Sequence, residues 1–173
     1  MDAQDKPLLR LQVQYISTYM NDGKGLGTRL RHLVAALDGD VQRIYQELGV
    51  PFRPRFYPVV QSLLSRGESS VTALAEETGV TQPAATQTIG EMVKLGLLTL
   101  STADDRRSRR VVLTAEGRRM AQTLAPLWEA VRRAAAELDD ELAHPLSDTI
   151  DAALAALRQR PFHERISERM NNA

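Results

Sequence analysis

Apolar residues recur along most of this chain at alternating spacings of three and four, the period of a helix with one buried face. Leu26, Leu30, Leu33, Leu37, Val41, Ile44 and Leu48 form a seam about six turns long, which Gly49-Val50-Pro51 brings to an end. An earlier stripe, Leu9, Val13, Ile16 and Met20, predicts a helix that breaks at Asn21-Asp22-Gly23. Pro54 and Pro58 suit only the opening of the next helix, whose buried face is Phe56, Val59, Val60, Leu63 and Leu64 and which Gly67 closes. Toward the C-terminus, Met120, Leu124, Leu127, Trp128, Val131, Ala135, Leu138 and Leu142 mark a long helix. Its periodicity runs through Pro126, so that proline should bend the helix and not stop it. Pro145 opens a helix through Leu146, Ile150, Leu154 and Leu157, Pro161 halts it, and Phe162, Ile166 and Met170 predict a last short amphipathic turn.

The middle of the chain changes character. Thr72 can cap a short helix over residues 73–78, and Gly79 supplies the left-handed residue that stops it. Thr81 caps a second helix, with Pro83 in its first turn, that should run to Leu95. Two strands follow, 97–101 and 110–114, flanking a loop of residues 102–109 that is dense in arginine. Two short helices about a tight turn, followed by a basic hairpin, constitute a winged helix-turn-helix pattern, so DNA is the expected partner.

On the second helix Ala85, Ile89, Met92 and Val93 lie to one side, with Gln82, Thr86 and Gly90 opposite and Gln87 and Lys94 flanking them. An ordinary solvated face carries Glu and Lys. Amides and hydroxyls at the leading end are better suited to hydrogen bonds with base edges. In the loop, Asp104 and Asp105 can steady neighbouring guanidinium groups while one arginine enters a minor groove. The plainer reading of that loop is a solvated tip.

Composition narrows the alternatives. The 173 residues carry 22 basic and 22 acidic side chains, so whole-chain electrostatics do not steer it to nucleic acid. Distribution matters more: Lys94, Arg106, Arg107, Arg109, Arg110, Arg118 and Arg119 crowd the reading region, whereas Glu137, Asp139, Asp140 and Glu141 gather near the C-terminus. With no cysteine, disulfides, thiolate metal sites and thiol nucleophiles are excluded. His32, His144 and His163 are far apart, so neither a histidine metal site nor a cofactor is expected. No HExxH or nucleophile elbow occurs, and the Asp139-Asp140 pair reads as solvated, so no catalytic residue is assigned and the chain is not expected to be an enzyme. Gly23-Lys24-Gly25-Leu26-Gly27 lacks the P-loop spacing and reads as a hinge. No apolar run approaches the roughly 20 residues that span a bilayer, and the acidic start is unlike a signal peptide, so a cytoplasmic protein without a membrane partner is expected.

The segments VTALAEETGVTQPAATQTIGEMVKLGLL and DDRRSRRVVLTAEG, with direct passage into a long helix, resemble the MarR family of winged-helix transcription regulators over residues 26–160. The resemblance implies a mainly α fold with a small antiparallel β wing. Residues 51–114 would form the winged helix-turn-helix DNA-binding region, 26–50 and 115–173 a helical dimerisation region, and 1–25 an extension helix and hinge outside the family pattern. It implies a homodimer, most often a repressor, on a near-palindromic site whose half-sites lie about one helical turn apart. Carried over by position, Gln82, Ala84, Thr86 and Gln87 face bases, Thr81 faces phosphate, Lys94 flanks them, and Asp105 with Arg107 matches the acid-x-arginine element of the wing, beside Arg106, Ser108 and Arg109. Relatives that respond to small aromatic or anionic effectors make Tyr45, Phe56, Tyr57 and Trp128 candidates for a ligand site, although aromatic residues on helical seams are more often core. The alternative function is a winged-helix protein-interaction module without a DNA role, against which the wing arginines argue.

Overall fold

Glycine and proline set the helix ends almost everywhere in the computed structural model, which describes residues 25–102 and 109–172. The elements are α1 (Leu26–Glu47), α2 (Phe56–Arg66), β1 (Glu68–Ser70), α3 (Val71–Thr78), α4 (Gln82–Lys94), β2 (Leu98–Thr102), β3 (Arg109–Leu113), α5 (Ala115–Asp140), α6 (Leu146–Gln159) and α7 (Phe162–Asn171). The chain divides into two compact units at Gly117 and Arg118. The expected fold class is borne out: mainly α, with a small antiparallel sheet. The stripe from Leu9 to Met20, the Gly23-Lys24 start of the hinge, and Asp104 to Ser108 of the wing lie outside the described residues.

In the first unit the core is built by α2, α3, α4 and the sheet. Phe56, Val59, Val60 and Leu63 of α2, Leu74 and Ala75 of α3, Ala85, Ile89 and Met92 of α4, and Leu97, Leu98, Val111 and Leu113 are buried. Burying the Val, Leu, Ile, Phe and Met side chains among these stabilises by about 1.5–3 kcal/mol each, before the opposing loss of conformational entropy. Leu64, placed on the buried face by its spacing, is exposed. The α1 seam is mostly open: only Tyr45 is fully buried, while Leu26, Leu30, Leu37, Ile44 and Leu48 are exposed.

The sheet has three strands in the order β1-β3-β2, both pairings antiparallel. Ser69 faces Val111 across β1 and β3, and Leu98 faces Leu113 across β2 and β3. The two expected strands are present one residue from their expected bounds. The third, β1, is not predicted by the hydrophobic pattern, because three residues reading Glu-Ser-Ser carry no apolar alternation. Its presence also corrects the cap of α3. Pairing with β3 holds Ser70 extended (φ −84°, ψ 158°), and the Ser70 hydroxyl accepts from the Ala73 amide at 3.1 Å. Ser70 is therefore the cap, and Thr72, expected there, lies inside the helix.

The passage from wing to α5 explains the Leu-Thr-x-x-Gly pattern in atomic terms. The Thr114 hydroxyl donates to the Gly96 carbonyl at 2.6 Å and accepts from the Gly117 amide at 2.9 Å, so it both closes the end of α4 and caps α5. Gly117 is needed for space: a Cβ there would lie 2.1 Å from the Leu97 carbonyl oxygen and 3.0 Å from Leu113 Cδ2.

In the second unit α5 continues through Pro126, as its periodicity predicts, with Ala121, Leu124 and Trp128 buried. α6 starts directly after Pro145. Its first amides are capped from a distance: Asp139 accepts from Leu146 N at 2.8 Å, from Ser147 N at 3.3 Å and from the Ser147 hydroxyl. The reading of Asp139 as merely solvated is thereby corrected. The Ser147 hydroxyl bond and the two amides hold its carboxyl below the usual aspartate range. The last amphipathic turn proves to be a full helix, α7, of 10 residues.

Candidate nucleic-acid interface

Two short helices meet at a three-residue turn that only a left-handed residue can make. Gly79 sits at φ 69°, ψ 23°, and the Val80 amide returns to the Ala75 carbonyl at 3.1 Å. The turn directs the N-terminus of α4 outward. Thr81 caps it as expected, its hydroxyl accepting from the Ala84 amide at 3.4 Å, and Pro83 occupies the first turn. Neither α3 nor α4 has an acid in its first turn, so no carboxylate there offsets the positive end of either helix.

The outward face of α4 is populated as the helical period requires. Thr81, Gln82, Ala84, Thr86, Gln87 and Lys94 are all exposed, while Ala85, Ile89 and Met92 turn inward. Several of these polar groups are already oriented. Gln82 Nε2 donates to the Thr72 hydroxyl at 3.3 Å, which ties the start of α4 to α3. The Thr86 hydroxyl donates back to the Gln82 carbonyl at 2.8 Å, so toward solvent Thr86 offers its methyl and an acceptor lone pair.

One residue that helical period and chemistry do not single out lies beside these. Glu91 is half-buried on α4, and its Oε2 takes Arg55 Nη2 at 2.5 Å and Arg53 Nη1 at 3.4 Å from the segment before α2. The Arg55 hydrogen bond is the chief cause of its lowered pKa, with the charges of Arg55 and Arg53 and a side-chain hydrogen bond from Gln87 adding to it. A lone carboxylate repels phosphate and other anions. Two arginines on one acid reverse that sign locally.

Of the wing, the strands frame a hairpin in which Thr102 pairs with Arg109. Asp105, Arg106, Arg107 and Ser108 fall outside the described residues, and Arg109 is placed by its backbone alone. Arg110, counted with the basic cluster, pairs with Glu68 across β1 and β3 at 3.7 Å and so braces the root of the hairpin.

The four ligand candidates do not form one cluster within a unit. Tyr45, Phe52 and Phe56 stack edge to face in the core of the first unit, with centroids 5.1 and 5.5 Å apart. Tyr57 is exposed and Trp128 belongs to the second unit. An open groove of about 450 Å³ in the first unit is polar instead, lined by Asp38, Gly39, Gln42 and Gln46 of α1 with Arg53, Pro54 and Arg55. Among the described residues no His, Asp or Glu side chains gather as a metal site, and no helix is long and apolar enough to cross a membrane.

Residues 57–108 match the family model described as the MarR family. No curated protein matches the chain. Among solved structures, it is similar to the transcriptional regulator MOSR of M. tuberculosis in complex with DNA, at 24% identity and TM-score 0.64, over 79% of this chain and 99% of that one. The MarR family regulator SPO1453 of Silicibacter pomeroyi DSS-3 is similar at 24% identity and TM-score 0.61, over 78% and 96% of the two chains. Bordetella bronchiseptica BpsR, whose DNA binding is regulated by 6-hydroxynicotinic acid, is similar at 20% identity and TM-score 0.59, over 79% and 92%. At these identities the structural likenesses establish the fold, and the family match spans residues 57–108 of the 173.

Proposed function

We propose that this chain, whose residues 57–108 match the MarR family, is a DNA-binding transcriptional regulator that acts as a homodimeric repressor on a near-palindromic site. The observation that carries the DNA reading is the exposed face of α4. Gln82, Ala84, Thr86 and Gln87 present amides, a methyl and a hydroxyl beyond an acid-free helix end, the chemistry that reads base edges in a major groove. Thr81 contacts phosphate, Lys94 flanks the groove, and Asp105 orients the arginines of the wing, among which Arg107 enters the minor groove beside Arg106, Ser108 and Arg109.

The homodimer is supported by α1, α6 and α7. Exposed apolar side chains at helical spacing (Leu26, Leu30 and Leu37; Ile150, Leu154 and Leu157; Phe162, Ile166 and Met170) are the faces a symmetric partner covers. Release by a small aromatic or anionic molecule is the expected regulation, and the 6-hydroxynicotinic acid response of BpsR supports it.

Fluorescence anisotropy against labelled promoter fragments, from low to high salt, tests the reading. Arg107→Ala should weaken every site and flatten the salt dependence, whereas Gln82→Ala should relax base preference. An Arg107→Ala protein that binds like the wild type at every salt concentration refutes the wing assignment. A wild type that binds no fragment favours the protein-interaction module instead.

A further inference from the structure

We propose that Glu91 is a positioning residue for base specificity: anchored by Arg55 and Arg53, it fixes which end of the Gln87 side-chain amide faces the DNA. The inference rests on the DNA reading above and goes beyond it in naming the base class that Gln87 reads.

A glutamine amide is nearly symmetric in shape, and a half-turn about its last bond exchanges an acceptor for a donor pair. On an open helix face nothing chooses between the two, and the residue reads different bases in its two orientations. Gln87 and Glu91 stand one turn apart, at the spacing that brings side chains into contact. Ionised, Glu91 can only accept, so the Gln87 group that meets it must be the NH2. The carbonyl oxygen then faces outward.

Four observations make this orientation persistent. Glu91 is drawn to two cations, with Oε2 taking Arg55 at 2.5 Å and Arg53 at 3.4 Å. Both arginines use the same oxygen, so Oε1 stands outside those two ion pairs. Arg53 and Arg55 directly precede α2, whose Phe56, Val59 and Val60 are core, so the anchor is held by the body of the unit and not by α4 itself. The lowered pKa of Glu91 keeps it ionised through the neutral range.

An outward carbonyl oxygen accepts hydrogen bonds. In the major groove, adenine N6 and cytosine N4 are exocyclic amines that donate, while guanine N7 and O6 and thymine O4 only accept. Gln87 therefore selects adenine or cytosine on the contacted strand. Gln82 presents the same polarity for a parallel reason, since its Nε2 is engaged by Thr72.

Glu91→Gln preserves size and helix propensity but removes the fixed acceptor, so the Gln87 amide is free to turn either way. Full-length wild type, Gln87→Ala, Glu91→Gln and the double variant are titrated by anisotropy against a selected site and against duplexes with each base pair replaced in turn. The pair read by Gln87 is the one at which Gln87→Ala loses preference. At that pair the wild type should favour adenine or cytosine, and Glu91→Gln should lose about tenfold of the discrimination, within the range of one base contact. Binding to a scrambled duplex should be unchanged or tighter, because a negative charge has been removed. In the Gln87→Ala background, Glu91→Gln should have no further effect on preference. Unaltered preference in Glu91→Gln, an effect that persists without Gln87, or a wild-type choice of guanine or thymine would each overturn the proposal while leaving the DNA reading intact. A wild type with no sequence preference at all would overturn both.

Discussion

Replacing Gly117 by alanine sets two physical effects of opposite sign against each other. Gly117 lies in the first turn of α5, and by propensity alone alanine there should stabilise the helix by about 1 kcal/mol. Packing argues the other way. The added Cβ would stand 2.1 Å from the Leu97 carbonyl oxygen, far inside contact distance, and 3.0 Å from Leu113 Cδ2. The obstacle is backbone and cannot rotate away. That carbonyl accepts from the Thr114 amide at 3.1 Å and from its hydroxyl at 3.2 Å, so moving it disturbs the junction that caps α5. Overpacking of this kind costs about 1–3 kcal/mol. Two weakened hydrogen bonds add about 1–2 kcal/mol. After the propensity gain, a net loss of about 1–4 kcal/mol remains, which for a chain of this length lowers the melting temperature by roughly 2–15 °C. Chemical denaturation of wild type and Gly117→Ala, followed by circular dichroism, measures it. A variant as stable as the wild type, or more so, would refute the packing argument and show that the wing-to-α5 junction yields.

Other consequences are as open to measurement. Asp139 has a folded-state pKa below its ordinary 3.8, so the stabilisation it gives the start of α6 is present above that value and lost as pH falls through the lowered one; the stability gap between wild type and Asp139→Ala should hold at neutral pH and close below 3.8. A gap that is the same at both ends would mean the cap does not depend on charge. Leu154→Asp places an unpaired charge on an exposed apolar face and should yield monomer, or unfolded protein, by light scattering; a stable wild-type monomer at micromolar concentration would remove the dimer. Ser70→Ala should destabilise by about 1 kcal/mol and Thr72→Ala by clearly less, since only the first hydroxyl caps α3; the reverse order in urea unfolding would restore Thr72 as the cap.

Those two residues show where sequence reading succeeds and where it stops. Gly49, Gly67, Gly79 and Gly96 all adopt positive φ, and the helix ends at or near each are legible in sequence because the constraint is local. The choice between Ser70 and Thr72 is not, since it is made by strand β1 pairing with β3 some 40 residues away. Asp139 escapes a sequence reading for a similar reason: its partners, Leu146 and Ser147, lie across a bend that no helical period describes. The outward row of α4 is legible from period and chemistry together, and each of its polar members is exposed. Glu91 is not. Its spacing from Gln87 is visible, but the arginines that turn it from a liability into an anchor are 36 and 38 positions earlier.

Whether α4 reads DNA sequence from a symmetric pair of subunits is decided by selection of bound sites from a random duplex pool. An inverted repeat whose half-sites are centred about one helical turn apart should be enriched, with Gln82→Ala and Gln87→Ala each abolishing major-groove protection at matching positions in both halves. A pool that remains random after repeated rounds at low salt, or one enriched in a single unpaired motif, would contradict that reading.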